Sequence, residues 1–480
     1  MAEEKTYLEL SQAGGGSHKF YEVIVNGADV TIRYGRIGDD GQSKTKTYAS
    51  AEAAQKDAAK KIRSKTKKGY AEAVMGVRKK RAVTSRTAMF QSQGAAPKPK
   101  KNNKSPLLWK FHTKASALGI FIDSERCWIG NQNGEIFALD NNQQVVARFK
   151  LPDGVKAIVA DDDFLYAGCD DGSVYDLNGK VPWAAYEISE DIDIYWIDIK
   201  DGILAISDAD GQVVIVNHED ESQWAKKSRG DKGWMVRCDE IGVYHGHSRG
   251  VTMYDWEDGS EIWSQPTDGW VGFGWQEESI VFASTANGKV HRFSKQGGDE
   301  IVYKCDAFLC SCAAAEDGKY VFAGDTYGYL YCFNEAGERL WKLNSGCGVA
   351  QSMQYVDGRL YIVTNQGYLG CVDVSDEAIE NARAGKVPKA SNISAPAVAA
   401  PAASAAVETT SDASGGVVVA CYKDGSKLRV RVVSEGYNPD WNCQFPKNLR
   451  EEGARFVVDE IRESSGGYYR AYGDIRKLTD

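Results

Sequence analysis

The sequence is poor in proline and histidine and lacks any long apolar run. Only 11 prolines and six histidines occur in 480 residues. No stretch approaches the roughly 18 apolar residues expected of a membrane-spanning helix. The first residues, Met1 to Lys5, are polar rather than the start of an apolar signal sequence. We therefore expect neither a membrane span nor a signal peptide.

The cysteines lack the regular spacing of a disulfide framework. Their number is odd, 11, and they are scattered from Cys127 to Cys443. This usage is typical of a reducing compartment. We expect a cytoplasmic protein, associated with the nucleoid if it binds DNA in a bacterium and nuclear if its source is eukaryotic.

Motifs that carry chemistry are also missing from the sequence. It contains no phosphate-binding glycine loop, serine nucleophile elbow or zincin helix. His245 and His247 would share a strand face but lack a third ligand nearby, and Cys310 and Cys312 fit an inner strand as small apolar residues. The Asp-Gly pairs are typical of hairpin turns rather than of calcium loops. We predict no catalytic residue, no metal site and no cofactor.

Acidic residues are unevenly distributed along the chain. Residues 1–105 contain 22 Lys/Arg and 10 Asp/Glu, a net charge of +12, whereas residues 106–416 contain 25 and 47, a net charge of −22. Between Val77 and Ser105 there is no acidic residue, and the segment reads as a basic flexible linker. This asymmetry indicates that the N-terminal part binds a polyanion; the alternative is that a basic arm folds onto the acidic body.

The N-terminal segment combines two apolar strands with a short motif and a basic helix. Phe20–Val25 and Val30–Arg33 predict strands, a polar strand runs through Lys44 and Lys46, and a helix is predicted from Ala51 to about Lys67. The pentapeptide Tyr34-Gly35-Arg36-Ile37-Gly38 lies between the second apolar strand and the polar strand. This order resembles the WGR domain, named for a Trp-Gly-Arg tripeptide. The resemblance covers roughly residues 5–75 and departs from the family at Tyr34, which replaces the tryptophan.

The WGR resemblance implies nucleic-acid binding. The family is best known from DNA-dependent poly(ADP-ribose) polymerases, where it helps to grip DNA ends, and it also occurs in bacterial proteins without a polymerase domain. In the family, the aromatic ring stacks on a nucleotide and the arginine contacts the backbone. The alternative is that Tyr34 packs half-buried on the sheet and Arg36 pairs with an acidic neighbour. The predicted contact residues are Arg33, Tyr34, Gly35, Arg36, Lys44, Lys46, Lys60, Lys61, Lys67 and Lys68.

The middle of the chain is a repeat array with a period of about 39 residues. The repeat is defined by turn glycines at intervals of 38 to 40 residues: Gly134, Gly172, Gly211, Gly250, Gly288, Gly328 and Gly367. A strand precedes and follows each glycine, as a four-stranded propeller blade requires. Seven units predict seven blades. The early strand around Trp109 is expected to complete the last blade and close the ring.

The blades resemble a shortened pyrroloquinoline-quinone-type repeat, with a Gly-x-x-x-Gly-x-(apolar)₃ pattern and a terminal tryptophan. WD signatures are absent. The resemblance implies a fold rather than an enzyme, because quinoprotein dehydrogenases are exported and larger, and no paired-cysteine cofactor clamp is present. Tryptophans near the blade junctions either form a peptide-binding face or pack between blades: Trp183, Trp196, Trp234, Trp270 and Trp275.

The chain ends in a linker and a small module. Asp376 to Ala384 looks helical, the stretch to Gly416 is rich in Ala, Pro and Ser, and four strands are predicted between Val417 and Tyr472. Basic and aromatic residues interleave in this module, a pattern typical of either a single-stranded nucleic-acid site or an exposed strand face. The residues concerned are Arg429, Arg431, Tyr468, Arg470 and Tyr472.

The sequence thus predicts a multidomain, mainly β protein. Its parts are a small α+β WGR-like domain (1–80), a basic flexible linker (81–105), a seven-bladed β-propeller (106–375), an Ala/Pro/Ser-rich linker (376–416) and a small β-rich module (417–480). We predict a non-catalytic adaptor in which residues 1–105 bind nucleic acid, DNA in particular, and the acidic propeller binds a protein of unknown identity. The alternatives are a protein-interaction scaffold without nucleic-acid binding and, more remotely, an enzyme built on the propeller.

Overall fold

A computed structural model describes residues 4–11, 18–36, 42–68, 70–73, 104–188, 193–298, 301–394 and 407–479. The side chains of residues 11, 18, 19, 35, 36 and 394 lie outside this description. The chain divides into an N-terminal unit and a larger unit. The predicted basic linker falls outside the described residues except at its end, Lys104 and Ser105.

The N-terminal unit is an antiparallel sheet with one helix. Its strands lie in the order β4-β3-β2-β1-β5. Their bounds are β1 Glu4–Ser11, β2 His18–Asn26, β3 Asp29–Arg36, β4 Gln42–Thr47 and β5 Ala71–Glu72, and helix α1 spans Ala51–Thr66. The two apolar strands, the polar strand and the helix are where the sequence predicted them. Strands β1 and β5 were not predicted.

Helix α1 begins at a side-chain cap and packs through alanines. The hydroxyl of Ser50 accepts a hydrogen bond from the Ala53 N–H at 3.2 Å, which satisfies one of the free donors of the first turn. Ala54 and Ala58 are buried, and they lie in one core with Val23 and Val30. The small side chains allow close approach of the helix to the sheet, and Lys56 and Lys60 of α1 are exposed.

The larger unit contains a seven-bladed propeller. Blades one to six are four-stranded antiparallel sheets and blade seven has a fifth strand. Blade one comprises β7 Ala117–Ile122, β8 Arg126–Asn131, β9 Glu135–Asp140 and β10 Val145–Lys150; blade two β11 Val155–Asp161, β12 Phe164–Cys169, β13 Ser173–Asp176 and β14 Trp183–Glu187; blade three β15 Ile194–Lys200, β16 Ile203–Asp208, β17 Gln212–Val216 and β18 Ser222–Lys227. Blade four comprises β19 Met235–Cys238, β20 Val243–His247, β21 Gly250–Tyr254 and β22 Glu261–Pro266; blade five β23 Val271–Gln276, β24 Ile280–Thr285, β25 Lys289–Ser294 and β26 Ile301–Lys304; blade six β27 Leu309–Ala315, β28 Tyr320–Asp325, β29 Tyr329–Asn334 and β30 Arg339–Asn344. Blade seven comprises β31 Ala350–Val356, β32 Arg359–Thr364, β33 Tyr368–Asp373, β6 Leu107–His112 and β34 Ser391–Ser394.

The repeat glycines and the ring closure confirm the predicted propeller. All seven turn glycines adopt positive φ in the hairpins between the second and third strands. The small residue four positions earlier lets the next blade approach: Gly130 lies against Val155, and Gly246 against Val271. Strand β6 pairs antiparallel with β33, and Trp109 lies opposite Cys371. The N-terminal strand therefore completes the last blade, as predicted.

The segment after blade seven is more ordered than its composition suggested. Helix α2 spans Asp376–Arg383, close to the predicted helix, and its Ile379 packs in the core of blades six and seven. Strand β34 then pairs in parallel with β6 and covers the outer edge of blade seven. The predicted linker is therefore structured at its start; residues 395–406 lie outside the described residues.

The C-terminal module is a small closed barrel. Its strands are β35 Glu408–Thr410, β36 Val417–Asp424, β37 Lys427–Val432, β38 Asn442–Gln444, β39 Arg455–Ser464 and β40 Tyr468–Leu478. Five of them form a ring, because β40 pairs with both β38 and β39, and β35 adds to β40 outside the ring. The core contains Val430, Phe445, Phe456 and Tyr469. Four of these strands were predicted, whereas β35 and β38 were not.

Two further properties concern the described residues as a whole. No helix within the described ranges is long and apolar enough to cross a membrane. None of the 11 cysteines, all of which lie in those ranges, forms a disulfide, and all but Cys305 are buried. Cys310 and Cys312 are fully buried in β27, as expected of small apolar residues in an inner strand.

Candidate nucleic-acid interface

The pairing of strands β3 and β4 places several of the predicted contact residues on one side of the sheet. Tyr34 lies opposite Gln42, Ile32 opposite Lys44 and Val30 opposite Lys46. Directly paired residues project to the same side of a sheet. Val30 is in the core beneath α1. Tyr34, Lys44 and Lys46 therefore lie on the side of the sheet that carries the helix.

Tyr34 is half-buried at the end of this row. Its ring packs against Tyr21 with a centroid separation of 6.5 Å, and its hydroxyl donates a hydrogen bond to the Gln42 side-chain oxygen at 3.0 Å. The packing anchors the ring at the surface instead of sealing it in the core. The neighbouring Gly35 and Arg36 belong to β3, but their side chains lie outside the described residues.

Arg33 lies on the opposite side of the sheet from Tyr34. Its guanidinium donates to the carboxylate of Glu22 at 2.9 Å, and Lys5 contacts the other carboxylate oxygen of Glu22 at 2.7 Å. Glu22 is fully buried. Arg33 therefore lies apart from Tyr34, Lys44 and Lys46, and its charge is matched by a buried carboxylate.

Most of the predicted lysines have no acidic partner. Within the described residues, no carboxylate lies within ion-pair distance of five exposed lysines, and Lys61 alone pairs with Asp57, at 3.5 Å. These five are Lys44, Lys46, Lys60, Lys67 and Lys68. Uncompensated positive charge on strand and helix makes this side of the unit suitable for a polyanion.

The fold of the N-terminal unit agrees with the domain family that its sequence matches. Residues 4–77 match the WGR domain. A curated relative, Protein YehF of Escherichia coli strain K12, is 45% identical over 56 residues, which are 12% of this chain and 20% of YehF. The chain therefore spans about a fifth of the length of this curated relative. The WGR domain of this chain carries tyrosine at the first position of the motif, as noted from the sequence.

The propeller and part of the segment that follows it also match known proteins. Residues 307–440 match the family model of the outer membrane protein assembly factor BamB. Among solved structures, the WD40 β-propeller domain of Doa1 has a TM-score of 0.50 at 10% identity and covers 57% of this chain and 99% of its own. The computationally designed Ika8 protein has a TM-score of 0.47 at 12% identity and covers 57% of this chain and 100% of its own. The likeness to Doa1 is one of fold alone.

The histidine pair of blade four is buried. His245 and His247 lie on one strand face, as predicted, with ring centroids 6.0 Å apart. His247 is hydrogen-bonded to Thr252 at 2.9 Å and accepts from the Arg249 N–H. Burial lowers the pKa of His245 to about 3 and that of His247 to about 4. Both rings are therefore neutral packing elements at neutral pH.

An acidic cluster of blades two and three receives an arginine from the C-terminal barrel. Asp161, Asp162 and Asp201 are the only group of three closely spaced potential metal ligands among the described residues. The guanidinium of Arg470 contacts Asp161 at 2.9 Å and Asp162 at 3.9 Å. Asp161 also accepts hydrogen bonds from the Asp201 and Gly202 N–H groups. Arg470 thus compensates part of the negative charge of the cluster.

Further ion pairs extend this contact along one face of the propeller. They join basic residues of the barrel to acidic residues in the loops between first and second strands and between third and fourth strands. The pairs are Arg450–Glu219 at 3.0 Å, Lys447–Asp220 at 2.8 Å, Lys427–Glu221 at 2.5 Å and Arg462–Asp163 at 2.6 Å. The barrel therefore docks on the face of blades two and three that lies opposite the repeat-glycine hairpins.

This docking uses the basic and aromatic residues that the sequence had offered for single-stranded nucleic acid. Arg470 is 1% exposed, Tyr468 stacks on His218 at 4.6 Å and Tyr472 contacts Phe164 edge to face at 5.6 Å. Arg429 lies 3.5 Å from Glu219. These four side chains contact the propeller, which neither sequence interpretation anticipated. Arg431 is exposed, as the strand-face interpretation predicts. The acidic runs 161–163 and 219–221 were the signal for this interface.

All five tryptophans pack within the propeller, to different depths. Trp196 and Trp234 are buried, Trp196 against Phe273 and Trp234 stacked on Tyr195. Trp183, Trp270 and Trp275 are half-buried. Trp183 and Trp275 pack against the core of the blades, and Trp270 contacts Phe308 edge to face at 5.1 Å. The structure therefore favours the packing interpretation for all five.

Proposed function

We propose that this protein is a non-catalytic adaptor whose WGR domain binds DNA while its propeller binds a protein partner. The proposal of nucleic-acid binding rests on one observation: Tyr34, Lys44 and Lys46 lie on the same side of the sheet. An aromatic ring and two uncompensated cations on one surface combine base stacking with phosphate contacts. The match of residues 4–77 to the WGR domain supports the same conclusion.

The proposal for the propeller rests on its charge and its accessible blades. Among the described residues, these ion pairs of the barrel lie on one face of the propeller, at blades two and three. The repeat-glycine face is opposite, and surface loops positioned by a rigid scaffold often carry binding residues. The adaptor would then hold a protein near DNA ends or damaged sites.

The test is DNA binding by the full chain, measured by fluorescence anisotropy in a salt series. Labelled blunt-ended, recessed and single-stranded oligonucleotides are compared for the native protein and the Arg36→Ala variant. The matched control is Arg63→Ala, which removes an exposed arginine from the last turn of α1. We expect binding that weakens steeply with salt, prefers ends and falls in Arg36→Ala but not in the control. Absent binding, or binding that Arg36→Ala leaves unchanged, would favour the protein-interaction scaffold instead.

A further inference from the structure

A strand lysine and a helix lysine of the WGR domain are connected through one tyrosine and one aspartate. The ammonium group of Lys46 lies over the ring of Tyr48, 4.7 Å from its centroid. The Tyr48 hydroxyl donates a hydrogen bond to the carboxylate of Asp57. That carboxylate also pairs with Lys61, one helical turn further along α1, at 3.5 Å. The four side chains thus form one continuous cluster.

This cluster borders the space between the edge strand β4 and helix α1. Lys44 and Lys46 project to the helix side of the sheet, as their pairing with Ile32 and Val30 shows. Asp57 and Lys61 form the facing edge of the helix, because the Tyr48 hydroxyl reaches Asp57. We call this space the β4–α1 groove and define its border as Lys44, Lys46, Tyr48, Asp57 and Lys61.

Tyr34 lies at the other end of the same groove. It pairs with Gln42 at the start of β4, whereas Lys46 lies near the end of that strand. Lys65, in the last turn of α1, lies 4.2 Å over the ring of Tyr21, the neighbour of Tyr34. The groove therefore runs beside the helix from Tyr34 to Tyr48, with an aromatic ring at each end and lysines between them.

We propose that the β4–α1 groove binds the phosphodiester backbone of the nucleic acid, with Lys46 and Lys61 contacting phosphate and with Tyr48 and Asp57 as positioning residues. This inference rests on the proposed DNA binding and adds Tyr48 and Asp57, which no sequence motif indicated. Two ammonium groups and one carboxylate leave the cluster positive, and Lys44 adds a further cation. A free lysine loses much rotamer freedom when it binds. Holding both lysines before binding reduces that loss.

The protonation states of the cluster suit this role. The hydrogen bond from Tyr48 lowers the pKa of Asp57, and the same bond raises the pKa of Tyr48 to about 12. Asp57 is therefore ionised and Tyr48 protonated across the neutral range. The arrangement that holds Lys46 and Lys61 does not change at pH values where DNA binding is measured.

The test measures DNA affinity of the full chain against salt for five single variants. Lys46→Gln and Lys61→Gln remove the proposed phosphate contacts. Tyr48→Leu removes both the ring beneath Lys46 and the hydroxyl, whereas Tyr48→Phe keeps the ring. Lys56→Gln is the matched control, since Lys56 is exposed on the same helix and forms no ion pair with the cluster among the described side chains. The thermal unfolding midpoint of each variant is recorded alongside.

The expected results distinguish a positioning role of Tyr48 from an effect of lost charge or of lost stability. Each removed phosphate contact should reduce the magnitude of the salt slope by about 0.9 and the affinity at 0.1 M salt by roughly tenfold. We expect this for Lys46→Gln and Lys61→Gln. Tyr48→Leu should also lower the slope although it removes no charge, Tyr48→Phe should have a smaller effect, and Lys56→Gln should bind as the native protein does.

Two other results would overturn the proposal in distinguishable ways. If Lys46→Gln and Lys56→Gln lower affinity equally, or if Tyr48→Leu leaves the salt slope unchanged while Arg36→Ala still weakens binding, then DNA binding stands and the groove is not its phosphate site. If the native protein does not bind DNA at all, both the groove and the proposed function fail.

Discussion

Arg470 of the C-terminal barrel forms a buried ion pair with Asp161 of the second blade. Their side chains are 1% and 3% exposed, and the nitrogen–oxygen distance is 2.9 Å. The guanidinium also lies 4.0 Å over the ring of Phe164 and donates to the Tyr166 hydroxyl at 3.3 Å. A residue near the end of the chain is thus held in a site made by a blade more than 300 positions earlier. The barrel is therefore docked on the propeller through a buried ion pair.

Removal of Arg470 should loosen the barrel more than removal of a half-buried docking arginine whose partner is exposed. Arg470→Met leaves the buried Asp161 carboxylate without its cation, which costs about 3–5 kcal/mol. Arg462→Met is the control, because its partner Asp163 is 75% exposed and a surface pair contributes about 0–1 kcal/mol. Hydrogen exchange of β39 and β40 in the full chain would measure the difference. Equal protection in the two variants would contradict a docking contact centred on Arg470.

Acid should release the barrel through His218. This side chain is hydrogen-bonded to Ser464 at 2.9 Å and stacks on Tyr468, and burial lowers its pKa from 6.5 to about 4. The docked state therefore favours the neutral ring, while the released histidine takes up a proton below about pH 6.5. The stabilisation is complete above pH 6.5 and falls towards pH 4, by up to about 3 kcal/mol.

The pH effect is measured as the difference between the native protein and His218→Gln. Barrel unfolding is followed by denaturant titration at pH values from 4 to 7.5. The native protein should lose more stability than the variant over this range. Parallel pH profiles would show that other groups cause the acid sensitivity.

A methyl group at the last repeat glycine should destabilise blade seven. Gly367 has φ +79°, and a Cβ atom there would collide with the carbonyl oxygen of Ala115. Gly385, after α2, has φ +75° but no described atom near its Cβ position. Gly385→Ala should lower the free energy of unfolding by about 1–2 kcal/mol, the cost of a left-handed conformation for alanine. Gly367→Ala should lower it by more, because the collision adds to that cost. Thermal unfolding of the full chain distinguishes the two.

The ring should depend on the early strand β6. Phe111 is fully buried between blades seven and one, 5.3 Å from Phe137. Phe111→Ala should therefore cost about 3–5 kcal/mol in the free energy of unfolding. Val146→Ala, on the outer strand of blade one and 52% exposed, should change it by less than about 0.5 kcal/mol. Comparable effects of the two substitutions would argue against closure through β6.

Tyr34 should contribute to DNA affinity through its ring rather than its hydroxyl. Tyr34→Phe removes only the hydrogen bond to Gln42 and should bind nearly as the native protein does. Tyr34→Ala should lower affinity by roughly 1–3 kcal/mol, the contribution of one stacked base. Anisotropy titrations with single-stranded and blunt-ended DNA test this. A loss in Tyr34→Phe as large as that in Tyr34→Ala would mean that the ring does not stack.

Local patterns were sufficient for most of the fold. Glycine at positive φ is needed in each hairpin, so the 39-residue spacing from Gly134 to Gly367 marked every blade. Trp109 indicated the closing strand because blade seven lacked its own. Strand β38 escaped prediction because it has only three residues. Strand β34 was not predicted either, because it pairs with β6 through backbone groups and the side-chain pattern of Ser391–Ser394 does not indicate this pairing.

The candidate site was predicted less completely than the fold. The sequence supplied the motif and the lysines. It could not show that the adjacent residues Arg33 and Tyr34 differ in role, because only the folded sheet decides which face α1 covers and where Glu22 lies. Tyr48 and Asp57 meet only when the helix folds back along β4. Sequence alone thus determined the modules, their order and their charge, since these depend on local periodicity and composition. Tertiary structure alone decided which charges are free and which are matched, as Arg470 and Asp161 demonstrate, because ion pairs form between residues that only the complete fold brings together.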